Sequence, residues 1–217
     1  MSLLYINLVP SSERSAFENK VASVASNLGI NPNWLMQVMK AESGLRADIQ
    51  NLAHPMQGGN ATGLIQFSPD TAKNLGTTTD QLKRMSRVDQ MDYVEQYFKP
   101  YASKIKSYFD LYLITFFPAA AGHSSDDEYV FETKNISRSS VAKGNPTIDI
   151  NKDGKITMAE FKQYLKNTVQ KQYWDAVFGS AEAMVEQTVK EVKKNALPIV
   201  LMLLGAAGII TSLVMKK

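Results

Sequence analysis

Cysteine is absent from the 217 residues, and histidine occurs twice, at His54 and His123. The first absence excludes a disulfide scaffold, a thiol nucleophile and a cysteine-ligated zinc site. The second leaves too few imidazoles for a three-histidine metal centre, and both histidines fall in loop-like sequence. An excess of one charge is also missing. Residues 1–147 carry fourteen basic and fourteen acidic side chains, and two of the three net positive charges sit on Lys216 and Lys217. A main body balanced in this way has no electrostatic footprint for nucleic acid, and no such partner is expected. Sustained apolar–polar alternation and internal repeats are lacking, so neither a large sheet nor a solenoid is expected. The opening MSLLYINLVPSSERS has no basic residue before its short apolar run and no small-residue cleavage site, and so does not read as a signal peptide.

What is present is helical punctuation. A first helix is expected from about residue 12, capped by Ser11 or Ser12, with Phe17, Val21, Val24 and Ala25 at helical spacing and Gly29 as its stop. Asn31-Pro32 opens a second helix that Gly44 ends. Residues 45–63 read as a loop. Ser68-Pro69 caps a third helix and Asp80 starts a fourth. A longer helix is predicted over about 88–106 and another over about 108–117. Residues 123–148 are polar and broken. The fold class is therefore mainly α.

From Ala196 to Met215 the chain runs twenty residues without a charge. As a helix this segment is ~30 Å long, the thickness of a bilayer's hydrocarbon core. Lys193, Lys194, Lys216 and Lys217 flank it and suit the headgroup regions. It is expected to be a transmembrane helix held in a lipid bilayer; a buried core helix, or a segment covered by partner subunits, is the alternative. Residues 181–195 read as a helical stalk.

Trp34, Val38 and Glu42 stand four residues apart and share one face of the second helix. Glu42 thus ends an apolar stripe, close to the negative end of the helix dipole. Both surroundings favour the protonated carboxyl. A glutamic acid that keeps its proton near neutrality is the general acid of glycoside cleavage. Ala41-Glu42-Ser43-Gly44 is followed about twenty residues on by Gly63-Leu64-Ile65-Gln66-Phe67. With these two motifs the sequence resembles the soluble lytic transglycosylases, a lysozyme-like family that cleaves peptidoglycan, over roughly residues 18–122. The resemblance implies that Glu42 is the single acid and base, that Ser43 hydrogen-bonds the substrate, and that Gly63, Leu64, Ile65 and Gln66 lie along the sugar cleft. It also implies a cut between N-acetylmuramic acid and N-acetylglucosamine that leaves a 1,6-anhydro end, with no cofactor for catalysis. The family usually carries Ala-Tyr-Asn on a later helix, with the tyrosine beside the acid. The matching stretch here is Leu113-Ile114-Thr115-Phe116-Phe117-Pro118, which holds neither phenol nor amide. Phe116 and Phe117 are expected either to wall the acid's pocket or to belong to the core. Phe-Phe-Pro-Ala-Ala looks like the variant in phage-encoded members, which points to a virion setting with other virion proteins as partners.

Asp149-Ile150-Asn151-Lys152-Asp153-Gly154-Lys155-Ile156-Thr157-Met158-Ala159-Glu160 matches the twelve-residue calcium loop throughout. Side-chain oxygens of Asp149, Asn151, Asp153 and Glu160 and the carbonyl of Lys155 are the expected ligands of a structural Ca²⁺. Phe161, Leu165 and Val169 give the exiting helix one apolar face. Lys143-Gly144-Asn145-Pro146 breaks the entering side, so half an EF-hand is expected.

The sequence thus predicts a lysozyme-like domain over 1–147, an EF-hand-like unit over 148–178, a stalk over 179–195 and a transmembrane helix over 196–215. The expected protein is a peptidoglycan-cleaving enzyme anchored to a virion membrane or a bacterial envelope. A hydrolytic lysozyme is the alternative, as is an inactive structural virion protein that keeps the fold.

Overall fold

A computed structural model describes residues 2–53 and 56–179. Among them are nine α-helices and isolated β-bridges without an extended sheet. The chain divides into two compact units, residues 1–173 and residues 174–217. The stalk and the apolar run 196–215 lie outside the described residues. Among the described residues no helix is long and apolar enough to cross a membrane.

In the first unit, α1 (Arg14–Leu28) buries Phe17, Val21, Val24, Ala25 and Leu28. It packs on α2 (Pro32–Ser43) and on α5 (Arg87–Phe98). Its N-cap is Glu13, which makes no side-chain cap bond, rather than Ser11 or Ser12. The Glu13 carboxylate serves instead as partner to Arg87 at 2.7 Å. Asn31 caps α2 by accepting from the Asn33 N–H, with Pro32 in the first turn. Leu35 to Met39 are buried without a break. The helix is therefore central, not a surface helix with one apolar stripe, and Trp34 at its start stays partly open to solvent. Gly44 and Leu45 both adopt left-handed backbone, φ 62° and 64°. Two such residues turn the chain sharply away from Glu42. Arg87 braces that turn by donating from Nε to the Leu45 carbonyl at 2.7 Å.

Two short helices follow the loop, α3 (Pro69–Asn74) capped by Ser68 and α4 (Thr79–Arg84) capped by Thr78. The helix expected over 88–106 ends at Phe98 and continues as a 3₁₀ turn, Lys99–Lys104. Pro100 lacks the N–H that would extend the α-helical ladder. α6 (Tyr108–Phe116) packs against α2 and stops before Pro118.

The stretch 123–148 is more ordered than its polarity suggests. Phe131 is fully buried, and α7 (Arg138–Gly144) precedes the predicted loop and stops at its Gly144. α8 (Met158–Thr168) opens with a capping box between Thr157 and Glu160 and buries Phe161 and Leu165, with Val169 buried just beyond its end. The boundary expected at residue 148 thus falls inside the first unit. The described part of the second unit is α9 (Trp174–Phe178), whose terminal rings meet edge to face at 5.5 Å.

Candidate active site

The last turn of α2 presents Glu42 to a cleft of about 450 Å³. Ile49, Met56, Ala61 and Phe116 supply its apolar wall, and Gln50, Gln66 and Thr115 its polar atoms. Apolar side chains around a carboxyl penalise its charged form, since water no longer solvates the anion. Burial accordingly raises the Glu42 pKa, and a hydrogen bond from Tyr112 pulls in the opposite direction without cancelling it. The environment expected for Glu42 is therefore present, but its cause differs from the sequence reading. The dry surroundings come from α6 and the 49–61 loop, not from a stripe on α2.

The phenol is the feature that sequence matching missed. The matching stretch Leu113–Pro118 has none, yet Tyr112, one helical turn before Phe116, is the phenol that lowers the Glu42 pKa. Its own pKa is pushed far up by burial and by the neighbouring carboxylate, so it remains a donor. Tyr97 of α5 and Tyr108 of α6 also sense the Glu42 charge, and burial raises both of their pKa values. The signal lay in helical periodicity, since residues 108, 112 and 116 share one face of α6.

Gly63 to Gln66 form a tight turn that brings Gln66 to the cleft. The Gly63 N–H donates to the Ile49 carbonyl at 2.9 Å, and Thr62 and Phe67 exchange two backbone bonds. Gly63 has φ 83°, and a Cβ there would lie 2.4 Å from Gln90 Oε1. Gln90, wholly buried, accepts from the Leu64 N–H at 2.9 Å and donates to the carbonyls of Ala47 and Leu82 at 2.7 and 2.6 Å. One amide thus ties the turn to both sides of the loop. Leu64 and Ile65 are buried, whereas Gln66 lines the cleft with its Nε2 donating to the Gly63 carbonyl at 3.0 Å. Ser43 is also buried, and its hydroxyl lies 2.9 Å from both the Met39 and the Leu64 carbonyls. It couples the end of α2 to the turn. Phe116 faces the cleft; Phe117 is buried, edge-on to Phe131 at 5.6 Å.

Asp48, the nearest other carboxylate in sequence, is exposed and paired with Arg46 at 3.3 Å. The guanidinium holds it below the usual carboxylate range. It is not among the residues that line the cleft, where Glu42 supplies the acid. His123 stacks on Tyr129 at 4.2 Å, and His54 lies outside the described residues.

In the 149–160 loop the oxygens of Asp149, Asn151, Asp153 and Glu160 accept backbone N–H groups of the loop itself. Asp149 takes those of Asp153 and Gly154 at 3.1 Å each. Glu160 takes those of Ile150 at 3.1 Å and Thr157 at 2.9 Å. Gly154 has φ 81°, which the sharp turn requires. The outer edge of the loop is paired by a segment of the main domain. Phe131 N–H donates to the Ile156 carbonyl at 3.1 Å, and Met158 N–H to the Tyr129 carbonyl at 2.9 Å. The donor set is all oxygen and suits a hard cation. Among the described residues, no three His, Asp or Glu side chains converge as a group that could hold a metal ion.

Comparison with known proteins matches residues 19–108 to the Transglycosylase SLT domain family. No curated protein and no solved structure matches the chain. The segment similar to that family spans Glu42, Ser43, the Gly63–Gln66 turn and Gln90. The match ends at Tyr108, before Tyr112 and Phe116.

Proposed function

We propose that this protein is a peptidoglycan lytic transglycosylase that cuts between N-acetylmuramic acid and N-acetylglucosamine with Glu42 as its single acid and base. The observation that carries the reading is a glutamic acid in the cleft of an SLT domain, walled by Ile49, Met56, Ala61 and Phe116, whose burial raises its pKa. Glu42 gives its proton to the bridging oxygen as the bond from the anomeric carbon breaks. The 6-hydroxyl of the same muramic residue then attacks that carbon and returns its proton to Glu42. The products are a 1,6-anhydro end and a free 4-hydroxyl, and no water is consumed. Burial favours the acid half of this cycle. The Tyr112 bond, which favours the anion, supports the moment after proton transfer. Hydrolysis of the usual two-carboxylate kind needs a second acid across the bond, and the position of Asp48 outside the cleft favours the intramolecular route.

The test is clearing of purified peptidoglycan by the full chain and by Glu42→Gln, with mass spectrometry of the fragments. Anhydro ends and an inactive Gln variant support the reading. Reducing ends identify a hydrolase, and equal clearing by the variant removes Glu42 from the chemistry.

The 149–160 loop is proposed to take one Ca²⁺ through Asp149, Asn151, Asp153, Glu160 and the Lys155 carbonyl, with a structural role. The all-oxygen donor set and the complete motif support this. The uncharged run 196–215 supports attachment to a lipid bilayer, in a virion or a bacterial envelope. Detergent partitioning of the full chain against residues 1–195 tests that placement.

A further inference from the structure

The cleft wall is backed from behind by a residue that lies beyond the SLT domain. Phe161, in the first turn of α8, has no exposed surface. Its ring stacks on Phe116 at 5.2 Å with 25° between planes, meets Tyr112 edge to face at 6.1 Å, and touches Phe131 at 5.4 Å. Phe116 lines the cleft, and Tyr112, whose ring Phe161 meets, is the phenol that acts on the Glu42 carboxyl. Phe161 is thus the common backing of both the wall and the phenol.

Its own position is fixed from two sides. The Thr157 N–H donates to Glu160 Oε2 at 2.9 Å and the Glu160 N–H returns to Thr157 Oγ1 at 3.3 Å. This closes the first turn of α8 one residue ahead of Phe161. The backbone bonds from Phe131 to Ile156 and from Met158 to Tyr129 tie the same turn to the main domain.

We propose that Phe161 is a positioning residue of the active site, which holds the Tyr112 hydroxyl on Glu42 and keeps Phe116 against the cleft. The proposal rests on Glu42 being the acid. Close packing transmits such placement because an aromatic ring has few alternative positions between two others. A misplacement of about 1 Å at a reacting group costs up to about a hundredfold in rate.

The experiment uses the full chain with Phe161→Leu, which keeps the site apolar, and Leu165→Ala as a control one turn further along α8. Tyr97, Tyr108 and Tyr112 are the titratable groups that sense the Glu42 charge. Loss of the Tyr112 bond removes a stabiliser of the anion. Phe161→Leu is therefore expected to move the alkaline limb of kcat/KM to higher pH and to lower kcat about tenfold with little change in KM. Tyr112→Phe should move the limb the same way, and the double variant should go no further. Leu165→Ala should lower the melting temperature without moving the limb. An unmoved limb in Phe161→Leu, or full additivity with Tyr112→Phe, overturns the proposal while leaving the acid assignment intact. Undiminished clearing by Glu42→Gln overturns both.

Discussion

The Tyr112 phenol of α6 acts on the Glu42 carboxyl of α2 and pulls its pKa down against the effect of burial. Of the two opposed influences, burial dominates. An acid poised in this way can give up a proton and still be stabilised once it has done so.

The first consequence concerns stability. A glutamate whose pKa is higher folded than unfolded binds more protons in the native state between those two values, so folding stability falls as pH rises through that window. Glu42→Gln carries no such penalty. Urea titrations should show the variant gaining on the wild type from the ordinary glutamate range near 4.5 upward, with the gap constant above the raised value. A parallel pair of profiles would mean that the carboxyl is freely solvated.

Tyr112→Phe removes the donor and keeps the ring. Activity against peptidoglycan should fall about tenfold or more, with the alkaline limb displaced upward, because the anion loses a hydrogen bond. A limb displaced downward would show that water, not the phenol, governs that carboxyl.

Gly63→Ala should be far more damaging than an alanine elsewhere in the loop. The new Cβ would meet Gln90 at 2.4 Å in a left-handed backbone. Displacing that amide leaves the Leu64 N–H and two carbonyls without their partner, at about 1–3 kcal/mol for each unmatched group. Thermal melts and clearing assays should both register the loss. Gln90→Leu should reproduce it without touching the turn's backbone.

If the 149–160 loop takes Ca²⁺ as proposed, the ion at a hundredfold excess over Kd would stabilise the folded state by about 2.7 kcal/mol. In a chain of this size that raises the melting temperature by roughly 5–10 °C. The wild type should show this gain and Asp149→Ala should not. Equal melting of the two proteins in calcium and in chelator would remove the metal from the loop.

Helix positions were largely legible because caps and stops are local. Asn31-Pro32, Gly44, Ser68-Pro69 and Pro118 fall at observed helix ends. Glu42 and the Gly63–Gln66 turn were legible for a different reason, since two short motifs at fixed spacing mark them. Tyr112 was not, because motif alignment looks at one position and a helix offers the same face one turn earlier. Nor was the order in 123–148. The burial of Phe131 and the pairing of Asp127–Phe131 with Ile156–Ala159 depend on residues far along the chain, which no local pattern announces.

The stacking of Phe161 on Phe116 also limits where the chain can be shortened. A fragment ending at residue 147 would retain Glu42, the 63–66 turn and Tyr112, yet would uncover Phe116 and Phe131 to water. Such a fragment should be sticky and feeble, and the smallest self-sufficient catalyst should extend through Val169.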